Sequence, residues 1–364
     1  MSSLWPVSGD VAGILRLLRE WDAADQPEPL VIETSGSTGR PKRVVLSRAA
    51  LRASVDATHA RLGGPGQWVL NLPPGYVAGV QVLLRSVRAG TEPVVQDGDL
   101  ATALAETTGP RRYASLVPTQ LVRLLDDERE TQALAGFDAV LVGGGPLAPV
   151  VRSRAEGAGI RVVQTYGMSE TCGGCVYDGR PLDGVAVKID ADGEVLLAGP
   201  VLFDGYEGDP GRTAEVLAGG WLRTDDLGEL DAAGRLRILG RADDVVISGG
   251  VKVPPHAVEQ MLVAHPAVSA ACVVGLPDPE WGERVVAAVM IRGGAAPTLE
   301  ELRAFVEPRS WAPRVVEVVD EIPLLPNGKV DRRSLRSRLI SRLGSRLGSR
   351  LGSRQEVAPR GRDA

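Results

Sequence analysis

The 364-residue chain is poor in cysteine, histidine and aromatic side chains: three Cys, three His, and 4% Phe, Trp and Tyr combined. Three cysteines cannot build a disulfide framework, and so small a number fits a reducing compartment, so the expected location is the cytoplasm. No apolar run approaches the ~20 residues that a membrane-crossing helix needs, which argues against an integral membrane segment. The start, Met1-Ser2-Ser3-Leu4-Trp5-Pro6, lacks the basic and apolar stretches of a signal peptide. An excess of one charge is also missing. With 41 Lys+Arg against 46 Asp+Glu the formal net charge is −5, and nothing in that balance points to nucleic acid as a partner. A homo-oligomer stays open.

What is present describes a folded protein. Hydrophobic residues make up 44% and charged residues 24%, close to the globular average. The length suggests two domains, or one large domain with an appendage. Between residues 30 and 240, short β-branched runs such as Leu30-Val31-Ile32, Trp68-Val69-Leu70 and Ala139-Val140-Leu141-Val142 alternate with helical patterns at 79–89 and 119–126. That alternation predicts an α/β layered fold with largely parallel strands. From 184 to 239, short strands separated by Asp-Gly or Ala-Gly turns predict hairpins of an antiparallel β subdomain. After Ala242-Asp243-Asp244 a second pattern mixes helices at 255–265 and 299–305 with strands at 268–275, 285–291 and 315–319. The expected organisation is an N-terminal domain over 1–242, a small α+β domain over 243–340 and a tail over 341–364. The tail repeats Ser-Arg-Leu-Gly, and its glycine content predicts a disordered basic segment.

The segment Thr34-Ser35-Gly36-Ser37-Thr38-Gly39-Arg40-Pro41-Lys42 follows the first of these strands. Its hydroxyls and exposed backbone N–H groups suit polyphosphate, and Lys42 adds a point charge. Pro41 and the extended run after Lys42 exclude a Walker A loop, and a plain Ser/Gly turn is the competing reading. Five more segments stand out: Gly143-Gly144-Gly145-Pro146-Leu147; Tyr166-Gly167-Met168-Ser169-Glu170-Thr171; Trp221-Leu222-Arg223-Thr224-Asp225-Asp226; Gly240-Arg241-Ala242-Asp243-Asp244 leading into Ser248-Gly249-Gly250-Val251-Lys252; and Pro326-Asn327-Gly328-Lys329-Val330-Asp331.

In order and spacing these six motifs resemble the adenylate-forming acyl-CoA synthetases, the superfamily that includes adenylation domains and luciferases. The resemblance runs from Val31 to Leu335. It implies ATP, Mg²⁺ and coenzyme A, and a carboxylic acid activated as its adenylate before thioester formation. The loop from Thr34 to Gly39 with Lys42 would hold phosphates. Glycines 143–145 leave a surface flat enough for a purine, with Tyr166 as an opposing aromatic face, flanked by Gly167 and Ser169 in the same motif. Glu170 is a hard oxygen ligand suited to Mg²⁺ on ATP phosphates; without the other motifs it would read as an exposed helix-start carboxylate. Asp226 and Arg241 match ribose contacts, with Asp225 standing where the family usually has glycine. Lys329 would meet charge developing at the α-phosphate. Asp243 matches the hinge about which the small domain turns, while Gly249 and Gly250 would line the pantetheine tunnel with Lys252 nearby.

The phosphate loop falls as early as Thr34, and this compact form is similar to the short members of the 2-succinylbenzoate–CoA ligase family, as is the stretch from Leu72 to Ser86. In a helix over 79–89, Gln81, Arg85 and Arg88 form one polar stripe against Val80, Leu83, Leu84 and Val87. Arg85 matches the position where such ligases hold an arginine for a substrate carboxylate, and Tyr76 stands where many relatives have histidine. A solvated helix face is the competing account of the stripe. Ligation of 2-succinylbenzoate to coenzyme A, in menaquinone biosynthesis, is therefore the expectation. The alternatives are a ligase for another aryl or short-chain acid, a stand-alone adenylation domain, and, outside enzymes, a nucleotide-binding pseudoenzyme. Cys172-Gly173-Gly174-Cys175 has metal or redox spacing but no second ligand pair nearby. Cys272 reads as core, His59 as structural or exposed, and His256 and His265 flank a helix and offer no triad partners.

Overall fold

The computed structural model describes residues 4–34, 42–293, 295–324 and 330–352, with side chains described as far as residue 343. Two compact units divide the chain, Met1–Ala242 and Asp243–Ala364.

In the first unit the apolar run Ala139–Val142 is buried at every position, as befits a central strand of a sheet covered on both faces. It lies in the middle of a seven-stranded sheet ordered Arg180–Pro181, Gly173–Tyr177, Val162–Met168, Ala139–Val142, Arg112–Leu116, Gln67–Leu70, Val94–Val95. The last five of these are parallel. Gly173–Tyr177 and Arg180–Pro181 complete the edge in antiparallel sense. In such a sheet, binding sites collect beyond the carboxyl ends of the parallel strands, where Gly143 and the Ser169–Thr171 turn stand. A four-stranded sheet joins Trp5–Pro6, Leu30–Glu33, Arg43–Leu46 and Gly205–Tyr206. The expected hairpins follow as an antiparallel sheet of Ala186–Ile189, Glu194–Ala198, Trp221–Leu230 and Leu217–Ala218, with Leu236–Arg241 beside Trp221–Leu230.

The helix Val11–Ala23 is not anticipated in the pattern above. Asp10 caps it by accepting from the Gly13 N–H, and Ile14, Leu18 and Trp21 bury one face.

The second unit orders Val251–Val253, Val246–Ser248, Gly282–Ile291 and Val268–Asp278 in one sheet, with Val315–Val318 parallel to Gly282–Ile291. The helix Arg332–Gly352 corrects one expectation, because it runs into the repeat read as a disordered tail. Leu335 and Leu339 are buried against Cys272, Val274, Leu276, Val286 and Ala288, and Arg336 Nε donates to the Gly275 carbonyl. Those anchors meet the nucleation cost in the first turns, and extending a formed helix is far cheaper than starting one. Arg338 and Arg342 then pair with Glu321 and Glu317. Residues 353–364 lie outside the described residues. Among the described residues no helix is long and apolar enough to cross a membrane.

Candidate active site

The hairpin of Leu30–Glu33 and Arg43–Leu46 sets Glu33 opposite Arg43, so the two ends of the hydroxyl-rich segment are brought together. Thr34 closes the hairpin by donating its N–H to the Lys42 carbonyl at 2.9 Å. Ser35, Gly36, Ser37, Thr38 and Gly39 lie outside the described residues. At the loop's far end, Lys42 Nζ stands 5.3 Å from the centre of the Tyr206 ring. The Tyr206 hydroxyl donates to Glu170 Oε1 at 2.7 Å, and the Glu170 carbonyl accepts from the Phe203 N–H at 2.9 Å. Burial, then the Glu170 charge, pushes the Tyr206 phenol upward, which keeps it a donor. A cation, a ring and a carboxylate thus share one face. Tyr206 went unread in the sequence because it belongs to no motif and lies 36 residues from its partner.

Glu170 sits half-buried in the turn Ser169–Thr171, held in place by Thr171, whose Oγ1 accepts from the Met168 N–H at 2.9 Å. Among the described residues there is no group of three or more His, Cys, Asp or Glu that could hold a metal ion. A lone carboxylate at the loop's end fits Mg²⁺, which takes one or two protein carboxylates and completes its shell with phosphates and water.

Asp226 and Arg241 are partners across two antiparallel strands, with Arg241 Nη1 3.6 Å from Asp226 Oδ1. The Tyr166 hydroxyl donates to Asp226 Oδ2 at 2.8 Å, and burial followed by the Asp226 charge raises that phenol well above its ordinary range. Thr224 Oγ1 accepts from the Asp226 N–H at 3.1 Å. Tyr166, Asp226 and Arg241 therefore meet, as a ribose site would require. Asp225 keeps the backbone that a glycine would take, with φ 57°, a left-handed conformation that costs a side-chain-bearing residue about 1 kcal/mol. Its Oδ2 lies 3.7 Å from Nη2 of both Arg212 and Arg241, and its carbonyl accepts from the Ala242 N–H at 2.8 Å.

Two motif glycines are demanded by the protein's own packing. A Cβ on Gly143 would come within 2.3 Å of Thr165 Oγ1, and one on Gly167 within 2.1 Å of the Gly173 carbonyl oxygen. Gly144 and Gly145 are exposed beside Val117 and Pro118.

The helix Val77–Ala89 answers the question of the polar stripe. Gln81 is 1% exposed and Arg85 3%, so the stripe is not a solvated face there; only Arg88 reaches the outside, toward Asp22 and Asp56. Arg85 Nη2 donates to Thr58 Oγ1 at 3.3 Å, Thr58 shares a 3.0 Å hydrogen bond with the Tyr177 hydroxyl, and the guanidinium stacks 4.9 Å from the Trp68 ring. Among the described residues no carboxylate pairs with Arg85. Burial lowers its pKa from the usual guanidinium range. Tyr76, the N-cap of the same helix, is 44% exposed. Nine residues of helix put it about 13 Å from Arg85 along the axis, so the two do not converge through the backbone.

In the second unit, Gly249 and Gly250 turn a hairpin at φ 59° and 79°, and the Gly249 N–H donates to the Trp281 carbonyl at 2.9 Å. Lys252 is exposed on the strand that leaves this turn. Asp243 begins the unit. Lys329 lies outside the described residues; Leu324 pairs with Val330 on either side of its segment, and the Asp331 N–H donates to the Pro323 carbonyl. Arg332 then binds both Glu259 carboxylate oxygens and lies 3.5 Å from Asp244. Cys172, Cys175 and Cys272 are buried free thiols.

This arrangement is that of an adenylate-forming enzyme, and the chain belongs to the AMP-binding enzyme family. The model of the AMP-binding enzyme family matches residues 24–207, and that of the AMP-binding enzyme C-terminal domain matches 257–329. The chain is 47% identical over 338 residues to the probable 2-succinylbenzoate–CoA ligase of Mycobacterium tuberculosis, spanning 89% of this chain and 88% of that protein. Among solved structures, amide bond synthetase McbA from Marinactinospora thermotolerans is similar at TM-score 0.77 and 33% identity, with 85% of this chain and 68% of that one covered. The o-succinylbenzoate CoA synthetase (MenE) of Bacillus subtilis, solved with the acyl-adenylate intermediate OSB-AMP, is similar at TM-score 0.71 and 28% identity, with 84% and 68% covered.

Proposed function

We propose that this chain ligates 2-succinylbenzoate to coenzyme A at the expense of ATP, in menaquinone biosynthesis, and works in the cytoplasm. The observation that carries the choice of acid is Arg85, a guanidinium 3% exposed with no carboxylate partner among the described residues. A dicarboxylate activated at one end keeps its other carboxylate charged, and a buried charge needs a counter-charge. A fork of N–H donors suits that carboxylate. The relatives support the same substrate, and three free cysteines support a reducing compartment.

In the first step a carboxylate oxygen attacks the α-phosphorus and pyrophosphate leaves, giving the mixed anhydride. Bound Mg²⁺ offsets phosphate charge, and Glu170 is the residue to hold it, its carboxylate oriented by Tyr206. Tyr166, Asp226 and Arg241 hold the nucleoside; Asp226 accepts from ribose hydroxyls. The loop from Thr34 to Gly39 with Lys42 grips the phosphates. Lys329 neutralises charge gathering at the reacting oxygens. In the second step the coenzyme A thiol attacks the acyl carbon, AMP departs and the thioester forms; Gly249, Gly250 and Lys252 receive the pantetheine arm, and Asp243 is the hinge.

The test is coenzyme A-dependent AMP release with 2-succinylbenzoate, benzoate and fatty acids. Turnover is expected with 2-succinylbenzoate far above the others. Turnover with another acid alone would leave the family standing and remove this substrate. ATP binding without ATP–pyrophosphate exchange would favour the pseudoenzyme instead.

A further inference from the structure

Among the described residues, eleven buried side-chain polar atoms have no hydrogen-bond partner, and four of them gather around one guanidinium. They are Arg85 Nε itself, Trp68 Nε1 beneath it, Gln81 Oε1 one helical turn before it, and His59 Nε2, whose imidazole feels the Arg85 charge. Folded proteins leave few buried polar atoms unpaired, and a cluster of them calls for a specific explanation. The side chains that do hold Arg85 are all neutral. Thr58 accepts from Nη2, Tyr177 is joined to Thr58 and lies close enough to feel the guanidinium, and Trp68 offers its ring face.

We infer that Thr58, Tyr177 and Trp68 are positioning residues that fix the Arg85 guanidinium without neutralising it, so that its charge is kept for the carboxylate of the acid that is not activated. The inference rests on the substrate reading above and adds to it the residues that aim the arginine. Hydroxyls and an aromatic face suit the task for a physical reason. Each fixes geometry, while an Asp or Glu at Thr58 would quench the charge and remove the driving force for binding a second carboxylate. Thr58 Oγ1 has one proton and two lone pairs, so it can accept from Arg85 while still bonded to Tyr177. That relay sets where the guanidinium points. The Trp68 ring lies 4.9 Å from the guanidinium carbon, and the alignment of three further elements, the helices Arg48–Leu62 and Val77–Ala89 and the strand Gly173–Tyr177, is converted into one fixed donor.

The experiment compares Thr58→Val, Tyr177→Phe and Arg85→Met in the full chain by ATP–pyrophosphate exchange. It uses 2-succinylbenzoate and an analogue lacking the carboxylate that is not activated. Thr58→Val and Tyr177→Phe are expected to raise KM for 2-succinylbenzoate about 10- to 100-fold, with kcat, KM for ATP and KM for the analogue within about twofold of the parent, in line with one hydrogen bond to a charged group. A role confined to stability would lower the melting temperature and leave that split absent. Unchanged KM for 2-succinylbenzoate in both hydroxyl variants, with Arg85→Met impaired, overturns the inference and spares the substrate reading. Parent-like KM in Arg85→Met overturns both.

Discussion

The hydroxyl of Tyr206 donates to Glu170 at 2.7 Å while its ring lies 5.3 Å from the Lys42 ammonium, so one side chain touches both the carboxylate and the cation expected at the phosphates. Tyr206→Phe keeps the ring and removes the hydrogen bond. A hydrogen bond to a charged group contributes roughly 1.5–3 kcal/mol, so ATP–pyrophosphate exchange should fall about 10- to 100-fold at limiting Mg²⁺. The loss should shrink as Mg²⁺ is raised. Full activity at low Mg²⁺ would show that Tyr206 does not orient Glu170.

Asp225 separates backbone cost from charge. Asp225→Gly removes the Cβ that strains φ 57°, and Asp225→Ala keeps it. Thermal or urea melts should find the glycine variant more stable than the alanine variant by about 1 kcal/mol. Both lose the carboxylate that Arg212 and Arg241 share, so both should raise KM for ATP by a similar factor of about three to five. A rise in the alanine variant alone would assign the effect to backbone strain.

His59 gives stability a specific dependence on pH. Burial first, then the charge of Arg85, push its pKa from 6.5 down to about 4, with Arg88 lowering it further and Asp56 opposing. Between those values the unfolded chain binds the proton and the folded chain does not, so the contribution is full above 6.5 and is lost as the pH falls toward 4. His256 in the other unit is lowered as well, so the measurement is a difference. Melting temperature against pH should fall less steeply across that window in His59→Gln than in the parent. Parallel curves would contradict a neutral buried imidazole.

Lys329 divides the two half-reactions. Lys329→Ala should abolish adenylate formation and leave thioester formation from preformed adenylate largely intact. Equal loss in both assays would remove the lysine from the first step alone.

The parallel sheet and the ordered motifs were legible because each is a local signal: the burial of 139–142 is written in four consecutive apolar residues, and the Asp226–Arg241 pair in two motifs at family spacing. Two kinds of information were not local. Whether Gln81 and Arg85 faced solvent depended on what packed over them, and periodicity describes a stripe without saying what covers it. The Thr58–Tyr177 contact joins residues 119 apart, each unremarkable in its own segment. The tail misled for a related reason. Glycine content measures the cost of a helix standing alone, while the helix here starts from Leu335 and Leu339, which are fixed by the sheet.

The four-stranded sheet is assembled from Trp5–Pro6, the two arms of the loop hairpin, and Gly205–Tyr206, segments contributed by three distant parts of the chain. The proposed grip on the triphosphate is thereby tied to the pairing of these strands, since the two arms and the phenol that bonds Glu170 are held in one sheet. Damage to the strand pairing that spares the Tyr206 and Lys42 side chains would lower the number of competent molecules in a sample and leave the affinity of each survivor as it was.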